Sequence, residues 1–513
     1  MKAKMLRNAS VVFVVISTVP IIAQEPVYWD VVQQIMEEAF ENSQVMENAS
    51  WLTDVFGPRN SKSSGYVEAS EWAKERLKEY GLSNTRLEPF EFGVGWENKY
   101  TSIHMMTPQY MPIIAYPAPW SKGTNGKIRA PAIHINFDEI KSEAELDKYR
   151  KKIKGAMIFI QPKQKITPRY EPLTRSYTEA ELDEMARIPI GPRDRDNRRR
   201  RPAREGLSPN QIIDLLFAAG AAAVVHTDGK NDFGTVDNAV GGYAMQKRMW
   251  EADAPPPITE LVMAAEHYNR IMRILEKNIP VEIQAEIEVN FSRGDPNDYN
   301  VIAEIPGTDK ADELVLLGGH LQSEPVGTGA TDDAAGVVVC MEVVRIFKKL
   351  GLKPRRTVRI GLWGGHEMGV IGNRSHVSKY FADLEKKEYK PDYHKLSAYF
   401  NVDNGSSRIK AVSIMGNEVI RSIFIEWVKP LLNLGMRHLF TTGLAHEAYE
   451  EVGLPGYYFR QDRMDIRRYH SNMDVYDRLV EEDLMANSVI LATFVYHAAM
   501  RDEMLPRVYP LPW

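Results

Sequence analysis

The chain has 513 residues, of which 44% are hydrophobic and 26% are charged. This length allows two or three domains, and the composition excludes a disordered chain, a collagen-like fibre and a polytopic membrane protein. The net charge of −5 leaves no global basic field for nucleic acid. The single cysteine, Cys340, lies in an apolar run, where we expect a small buried hydrophobic residue rather than a reactive thiol.

The first 23 residues predict a secretory signal peptide rather than part of the fold. Lys2, Lys4 and Arg7 precede a mostly apolar stretch from Val11 to Ala23. That stretch is shorter than the about 20 residues that a membrane-spanning helix needs. We therefore expect a cleaved chain that is secreted or periplasmic and has no transmembrane segment once mature, with a lipid-proximal anchor as the alternative.

Helical patterns open the mature chain. Tyr66, Ala69, Ala73 and Leu77 recur at spacings of three and four, and Gly81 supplies a stop signal. The middle of the chain is richer in β-strand signals, with short runs at 128–135, 156–161 and 221–226 and an apolar alternation over 281–289. From residue 300 onward, predicted strands at 314–317, 357–363 and 397–402 alternate with long helices, including one over 334–350.

This order predicts an α/β fold: a mixed sheet flanked by helices, interrupted by a β-rich insertion. We place the signal peptide at 1–23, the first part of the main domain at 24–110, the insertion at 111–292 and the rest of the main domain at 293–513. Within the insertion, residues 193–204 are strongly basic. We interpret that segment as a solvated loop, with contact to an anionic surface or a partner subunit as the alternative.

Histidines and carboxylates follow the ends of successive predicted strands, where ligands bind in open α/β sheets. The sequence offers two imidazoles and three carboxylates in this pattern: His320, Asp332, Glu367, Asp403 and His470. Such a donor set suits a pair of divalent metal ions of the zinc type. Two dications, three carboxylates and one bridging hydroxide would also make the site electrically neutral.

The motifs around these residues resemble those of the co-catalytic zinc exopeptidases, in particular the secreted aminopeptidase and carboxypeptidase Q (plasma glutamate carboxypeptidase) group. The matching segments are 318–320, 329–336, 401–404, 470–474, 300–307 and 454–462, and residues 218–225 look like part of a protease-associated domain. The resemblance implies a zinc-exopeptidase fold with an inserted protease-associated domain. It also implies short peptide substrates, two zinc ions per chain and a homodimer.

The same resemblance assigns roles to individual residues. His320, Asp332, Glu367, Asp403 and His470 take the five metal-ligand positions, with Asp332 as the bridge. Asp474 matches a supporting acidic position, and His446 matches a substrate-pocket histidine.

Three positions depart from the family pattern. His366 stands where the family usually has a glutamate as general base, Gln322 where an acid usually orients the first histidine, and Ala445 where an aspartate usually precedes the pocket histidine. Metal binding is therefore better supported than peptide hydrolysis. His366 could act as the base or as an extra ligand. The chain is expected to be an exported two-zinc exopeptidase or, alternatively, a catalytically impaired homologue that acts as a binding protein.

Overall fold

A computed structural model describes residues 25–172, 174–187, 206–239, 241–383, 385–386, 388–403, 405–441, 447–462 and 469–507. The predicted signal peptide, the basic segment 193–204, Ala445 and the candidate pocket residue His446 lie outside the described residues. Within the described part of the chain, the strands form two eight-stranded sheets and one two-stranded ribbon.

The helices up to the end of the second sheet are α1 (Trp29–Glu41), α2 (Val45–Ser50), α3 (Ser64–Glu79), α4 (Glu143–Asp147), α5 (Arg150–Ile153), α6 (Glu179–Ala186), α7 (Pro209–Ala218), α8 (Gly242–Lys247) and α9 (Ala265–Leu275). The later helices are α10 (Ala335–Lys349), α11 (Ile371–Tyr380), α12 (Arg421–Val428), α13 (Glu447–Glu451) and α14 (Glu481–Met500).

The strands before residue 293 are β1 (Ser83–Glu91), β2 (Gly95–Thr107), β3 (Met111–Pro112), β4 (Ala115–Pro117), β5 (Ile128–His134), β6 (Met157–Phe159), β7 (Ala223–His226), β8 (Glu260–Met263) and β9 (Glu282–Ser292). The later strands are β10 (Asn297–Ile305), β11 (Lys310–His320), β12 (Arg356–Trp363), β13 (Ala382–Asp383), β14 (Glu388–Tyr389), β15 (Leu396–Asn401), β16 (Ile409–Ser413), β17 (His438–Phe440) and β18 (Gly456–Gln461).

The first sheet has the strand order β1-β10-β12-β11-β15-β18-β16-β17. Its four central strands, β12, β11, β15 and β18, run parallel to one another. The pairs β1–β10, β10–β12 and β16–β18 are antiparallel, and β16–β17 is parallel. His320 lies opposite Trp363, and Gly318 lies opposite Asn401. The carboxyl ends of these strands therefore meet at one edge. The predicted mixed sheet flanked by helices is confirmed.

Alternation along β11 explains how helices cover both faces of this sheet. Val315 and Leu317 belong to the core that α10 and α14 complete, whereas Leu314 and Leu316 belong to the core beside α11 and α13. Successive side chains of a strand point to opposite faces, so a run of apolar residues has both faces buried. Cys340, on α10, is buried and unpaired.

Helix α3 begins and ends as its sequence predicts. The Ser63 hydroxyl accepts a hydrogen bond from the Tyr66 backbone N–H at 3.2 Å and so caps the first turn. Tyr66, Ala73 and Leu77 are buried against the first sheet. Gly81, which follows the helix, has a φ of +84°, a left-handed conformation that glycine adopts without steric cost.

The second sheet has the order β3-β2-β9-β5-β6-β7-β8-β4 and lies between residues 95 and 292. Its long antiparallel pair joins β2 to β9, and β5 to β8 form a parallel run. The first strand of this sheet therefore starts at Gly95, before the boundary that we placed at residue 111. No helix in the described residues is long and apolar enough to cross a membrane.

Candidate metal centre

Six side chains gather near the ends of the parallel strands of the first sheet. His320 is the last residue of β11, and Asp332 lies in the turn that leads into α10. His366 and Glu367 follow β12, and Asp403 follows β15. His470 joins them from the segment after β18, and its Nε2 lies 3.3 Å from Glu367 Oε1. The structure thus brings the five predicted ligands into one cluster.

Asp332 is the centre of this cluster. One of its oxygens, Oδ1, lies 2.9 Å from His320 Nε2, and the other, Oδ2, lies 2.8 Å from His470 Nε2. His320 Nε2 is also 3.3 Å from Asp403 Oδ1. A carboxylate with one oxygen directed to each of two histidines has the arrangement that a bridging ligand needs.

The donor chemistry of the cluster fits zinc. Asp332 is only 2% exposed, and its Oδ2 and His470 Nε2 are buried atoms that make no hydrogen bond of acceptable geometry. Burial lowers the pKa of His320, but the Asp403 and Asp332 carboxylates outweigh burial and raise that pKa well above its usual value. Burial likewise opposes protonation of His470, yet Asp332 and Glu367 raise its pKa to about 11. The cluster therefore attracts positive charge strongly, as a site for dications must.

The cluster has two sides that share Asp332. We call His320, Asp403 and His366 the His320 side, and His470, Glu367 and Glu324 the His470 side. On each side, one ligand atom from each of the three residues lies within 4.8 Å of the others.

His366 stacks on His320. The two ring centroids are 4.0 Å apart and the ring planes differ by 3°. His366 Nε2 lies 3.5 Å from Asp403 Oδ2. Burial and the neighbouring His320 charge lower the pKa of His366, so its neutral form is favoured.

Glu324 is a site residue that the sequence analysis missed. It is 4% exposed, and its carboxylate joins Glu367 and His470. The available signal was an acidic residue four positions after His320, in the loop that follows β11. Asp333 was also missed: its two carboxylate oxygens accept hydrogen bonds from the backbone N–H groups of His320 and Gly336, at 3.1 and 2.9 Å.

Two predicted supporting residues contact the ligands through different groups. Asp474 accepts hydrogen bonds from the backbone N–H and the hydroxyl of Thr331, both at 2.7 Å, and from the backbone N–H of Asp332 at 3.2 Å. The side-chain oxygen of Gln322 accepts from the Glu367 backbone N–H at 2.9 Å. His320 Nδ1 instead bonds to the Gln322 backbone carbonyl, so the side chain at 322 does not orient that imidazole.

Comparisons with known proteins agree with this geometry. The model of peptidase family M28 matches residues 300–495. We call these matched residues the M28-like segment. The chain is 26% identical to mouse carboxypeptidase Q over 468 residues. This alignment covers 90% of this chain and 87% of that protein. The resemblance to this exopeptidase group is confirmed.

Two solved structures share the fold over nearly the whole chain. One is a peptidase M28 precursor from Shewanella amazonensis, with a TM-score of 0.66, 21% identity, and coverage of 94% of this chain and 99% of that one. The other is a zinc aminopeptidase from Bacillus subtilis, with a TM-score of 0.56, 14% identity, and coverage of 90% and 95%. At these identities the likeness concerns the fold.

The M28-like segment contains all five predicted ligands, but an arginine from outside it holds the loop beside them. Arg59 is fully buried and donates hydrogen bonds to the backbone carbonyls of Leu321, Thr328 and Gly329, at 2.8, 2.7 and 2.9 Å. Burial lowers the pKa of Arg59 to about 10, so the guanidinium is still charged at neutral pH. These hydrogen bonds from Arg59 therefore hold both ends of the loop that carries Glu324 in place.

Proposed function

We propose that this chain is an exported metallo-exopeptidase that hydrolyses the peptide bonds of short peptides at a site for two zinc ions. The observation that carries the proposal is the Asp332 carboxylate between the His320 and His470 imidazoles. The names of its relatives, carboxypeptidase Q and zinc aminopeptidase, agree with a peptide substrate.

In this proposal His320 and Asp403 hold one zinc ion, Glu367 and His470 hold the other, and Asp332 contributes to both. Zinc bound in this way polarises a substrate carbonyl and lowers the pKa of a water molecule. The buried carboxylates hold the ligand imidazoles in place, and the Gln322 carbonyl fixes the His320 ring through Nδ1.

His366 is the proposed general base. Burial keeps its imidazole neutral and able to accept a proton. Imidazoles bind metals through a ring nitrogen whose lone pair lies in the ring plane. Because the His366 and His320 rings are parallel and stacked, their lone pairs do not converge on a common ion. This stacking favours a base over an extra ligand.

We further propose that the chain is secreted or periplasmic, that its signal peptide is cleaved near Ala23, that residues 111–292 include a protease-associated domain, and that the protein is a homodimer. N-terminal sequencing of exported protein tests the cleavage, because material that still begins at Met1 would contradict it. Nucleic acid is not an expected partner.

The alternative is a catalytically impaired homologue that binds metal and a ligand without cleaving it. It is favoured by one specific feature, the neutral histidine at the position where the resemblance places a glutamate base. An imidazole beside two dications gains a proton less readily than a carboxylate does.

A mixed dipeptide library separates these two functions. The purified protein is stripped with a chelator, one half is reloaded with zinc, and released amino acids are measured in both. A peptidase releases amino acids only in the zinc-loaded half, and acetylated or amidated dipeptides then identify which terminus it requires. Two bound zinc ions without any release would establish the binding protein instead.

A further inference from the structure

We propose that Glu324 is a sixth metal ligand, which completes the coordination of the ion on the His470 side and leaves the ion on the His320 side with an open position. The inference rests on the proposed two-metal site and assigns unequal roles to its two ions.

The first support is the position of the Glu324 carboxylate. Its oxygen, a Glu367 oxygen and a His470 nitrogen all lie within 4.8 Å of one another. Ligand atoms grouped this closely can contact a single ion at the 2.0–2.2 Å that zinc takes with nitrogen and oxygen donors. His470 Nε2 is also a buried atom that lies 2.8 Å from Asp332 Oδ2 and 3.3 Å from Glu367 Oε1 without a well-aligned hydrogen bond to either, as expected where an ion joins these groups.

The second support is the cost of burying a fourth carboxylate here. Glu324 is 4% exposed and lies in a cluster that already contains Asp332, Glu367 and Asp403. Placing a carboxylate in such surroundings is unfavourable unless a positive charge compensates for it. Together with Asp332, Glu367 and Asp403, the Glu324 carboxylate brings the negative charge of these four groups to −4, which two bound dications would compensate.

The third support is the way the chain holds Glu324. Arg59 anchors the loop on both sides through the Leu321 and Thr328 carbonyls. Ser323 adds two bonds: its hydroxyl accepts from the Arg59 backbone N–H at 2.9 Å and donates to the Glu324 carbonyl at 3.2 Å. A ligand on a loop fixed in this manner is preorganised for one ion.

The donor count then differs between the two sides. On the His470 side, Glu324, Glu367, His470 and Asp332 provide four protein donors, which fill a tetrahedral zinc site. On the His320 side, His320, Asp403 and Asp332 provide three. Glu367 Oε1 lies 3.9 Å from His320 Nε2 and 3.3 Å from His470 Nε2, so it is counted with the nearer imidazole. The stacked ring of His366 is not directed at the same ion as His320. Zinc sites closed by four protein ligands are structural, and those with three keep a position for water or substrate.

Zinc titration of the metal-free protein, in competition with a chromophoric chelator, tests the inference without an activity assay. Wild type should bind two ions in two steps, the tighter of them on the His470 side. Glu324→Gln should weaken the tighter step by at least about 10-fold and leave the weaker one unchanged. Asp403→Asn, which alters a carboxylate on the His320 side, should weaken the other step. Glu260→Gln changes a glutamate of similar burial in the second sheet and should alter neither.

Several outcomes would overturn the inference. They are unchanged zinc affinities in folded Glu324→Gln, weakening of the same step by Glu324→Gln and Asp403→Asn, and a wild-type protein that binds no zinc. If Glu324→Gln does not fold, Glu324→Asp keeps the charge and should weaken only the tighter step; unchanged affinities there would also count against the inference. A wild type that shows both steps but cleaves no peptide would contradict the proposed hydrolase and leave Glu324 a ligand.

Discussion

The two sides of the metal cluster have the same framework and different third members. Each side has one imidazole and one carboxylate, and they share Asp332, whose two oxygens lie at nearly equal distances from His320 and His470. The third member is the neutral ring of His366 on the His320 side and the carboxylate of Glu324 on the His470 side. In the proposed two-metal site, a symmetric set of ligands would therefore support two unequal ions. The third member on each side would decide whether the ion there keeps an open coordination position.

The framework itself is a consequence of the sheet. Strands β11, β12 and β15 are parallel and in register, so residues that directly follow them meet at one edge. Of the two third members, His366 shares this origin because it follows the end of β12, whereas Glu324 lies in a loop that Arg59 holds from outside the M28-like segment. The two sides therefore differ because one third member is placed by the sheet topology and the other by local loop contacts.

The largest expected effect belongs to the residue that the two sides share. Asp332→Ala removes a donor from both ions at once, so we expect zinc content to fall from two ions per chain toward none. The affinity loss should exceed the about 10–100-fold that removal of an outer partner typically costs. Elemental analysis of the folded variant measures this loss, with Asp312→Ala, a change at an exposed aspartate on β11, as the control. Retention of one tightly bound ion would mean that Asp332 serves one side only.

The next largest effect concerns His366, the third member of the His320 side. Positioned acid–base catalysis is worth about 10²–10⁴-fold. We therefore expect His366→Ala to lower peptide turnover within that range while zinc content stays the same. His366→Glu restores an anionic base and should at least recover the wild-type rate. Turnover and metal content are measured on each variant, and His394→Ala, at an exposed histidine, is the control.

Two results would contradict the proposal that His366 acts as a base and not as a metal ligand. If His366→Ala loses one zinc ion, His366 is a ligand and both sides are closed. If wild type turns over peptides at an ordinary rate and His366→Ala does not change that rate, the base lies elsewhere.

The sequence indicates that His320, Glu367 and Asp403 lie at one edge of the sheet because these residues lie at or just after the ends of strands with strong apolar signals. The 314–317 run predicts the centre of β11 (Lys310–His320), and the 357–363 run predicts nearly all of β12. Strand β2 was not predicted, because the polar residues Glu97, Asn98 and Lys99 interrupt any apolar alternation near its start. It forms a strand through its long pairing with β9, a contact between distant parts of the chain.

The same limit applies within the site. His320, Asp332 and Glu367 lie in motifs whose spacing can be read locally, and the structure brings them together. Glu324 depends on Arg59, more than 250 residues earlier in the chain, and no local pattern encodes that contact. The Gln322 backbone carbonyl orients His320. A sequence motif cannot predict this contact either, because every residue has a backbone carbonyl whatever its side chain.

The smallest expected effect tests whether Asp332 couples the two sides. Asp474 accepts three hydrogen bonds, two from Thr331 and one from the Asp332 backbone N–H. Asn at this position keeps one acceptor oxygen and turns an NH₂ group toward an N–H donor, so at least one of these bonds is lost. Losing such a bond would displace Asp332, whose carboxylate is shared by both sides. Asp474→Asn should therefore weaken both zinc-binding steps by a similar factor of about 10. Thr331→Val, which removes only the hydroxyl donor, should weaken both steps by less.

The two steps are measured in the same chelator competition that tests Glu324→Gln, where only one step should change. A selective effect of Asp474→Asn on one step would show that each side is held independently, and Asp332 would then not be the link between them.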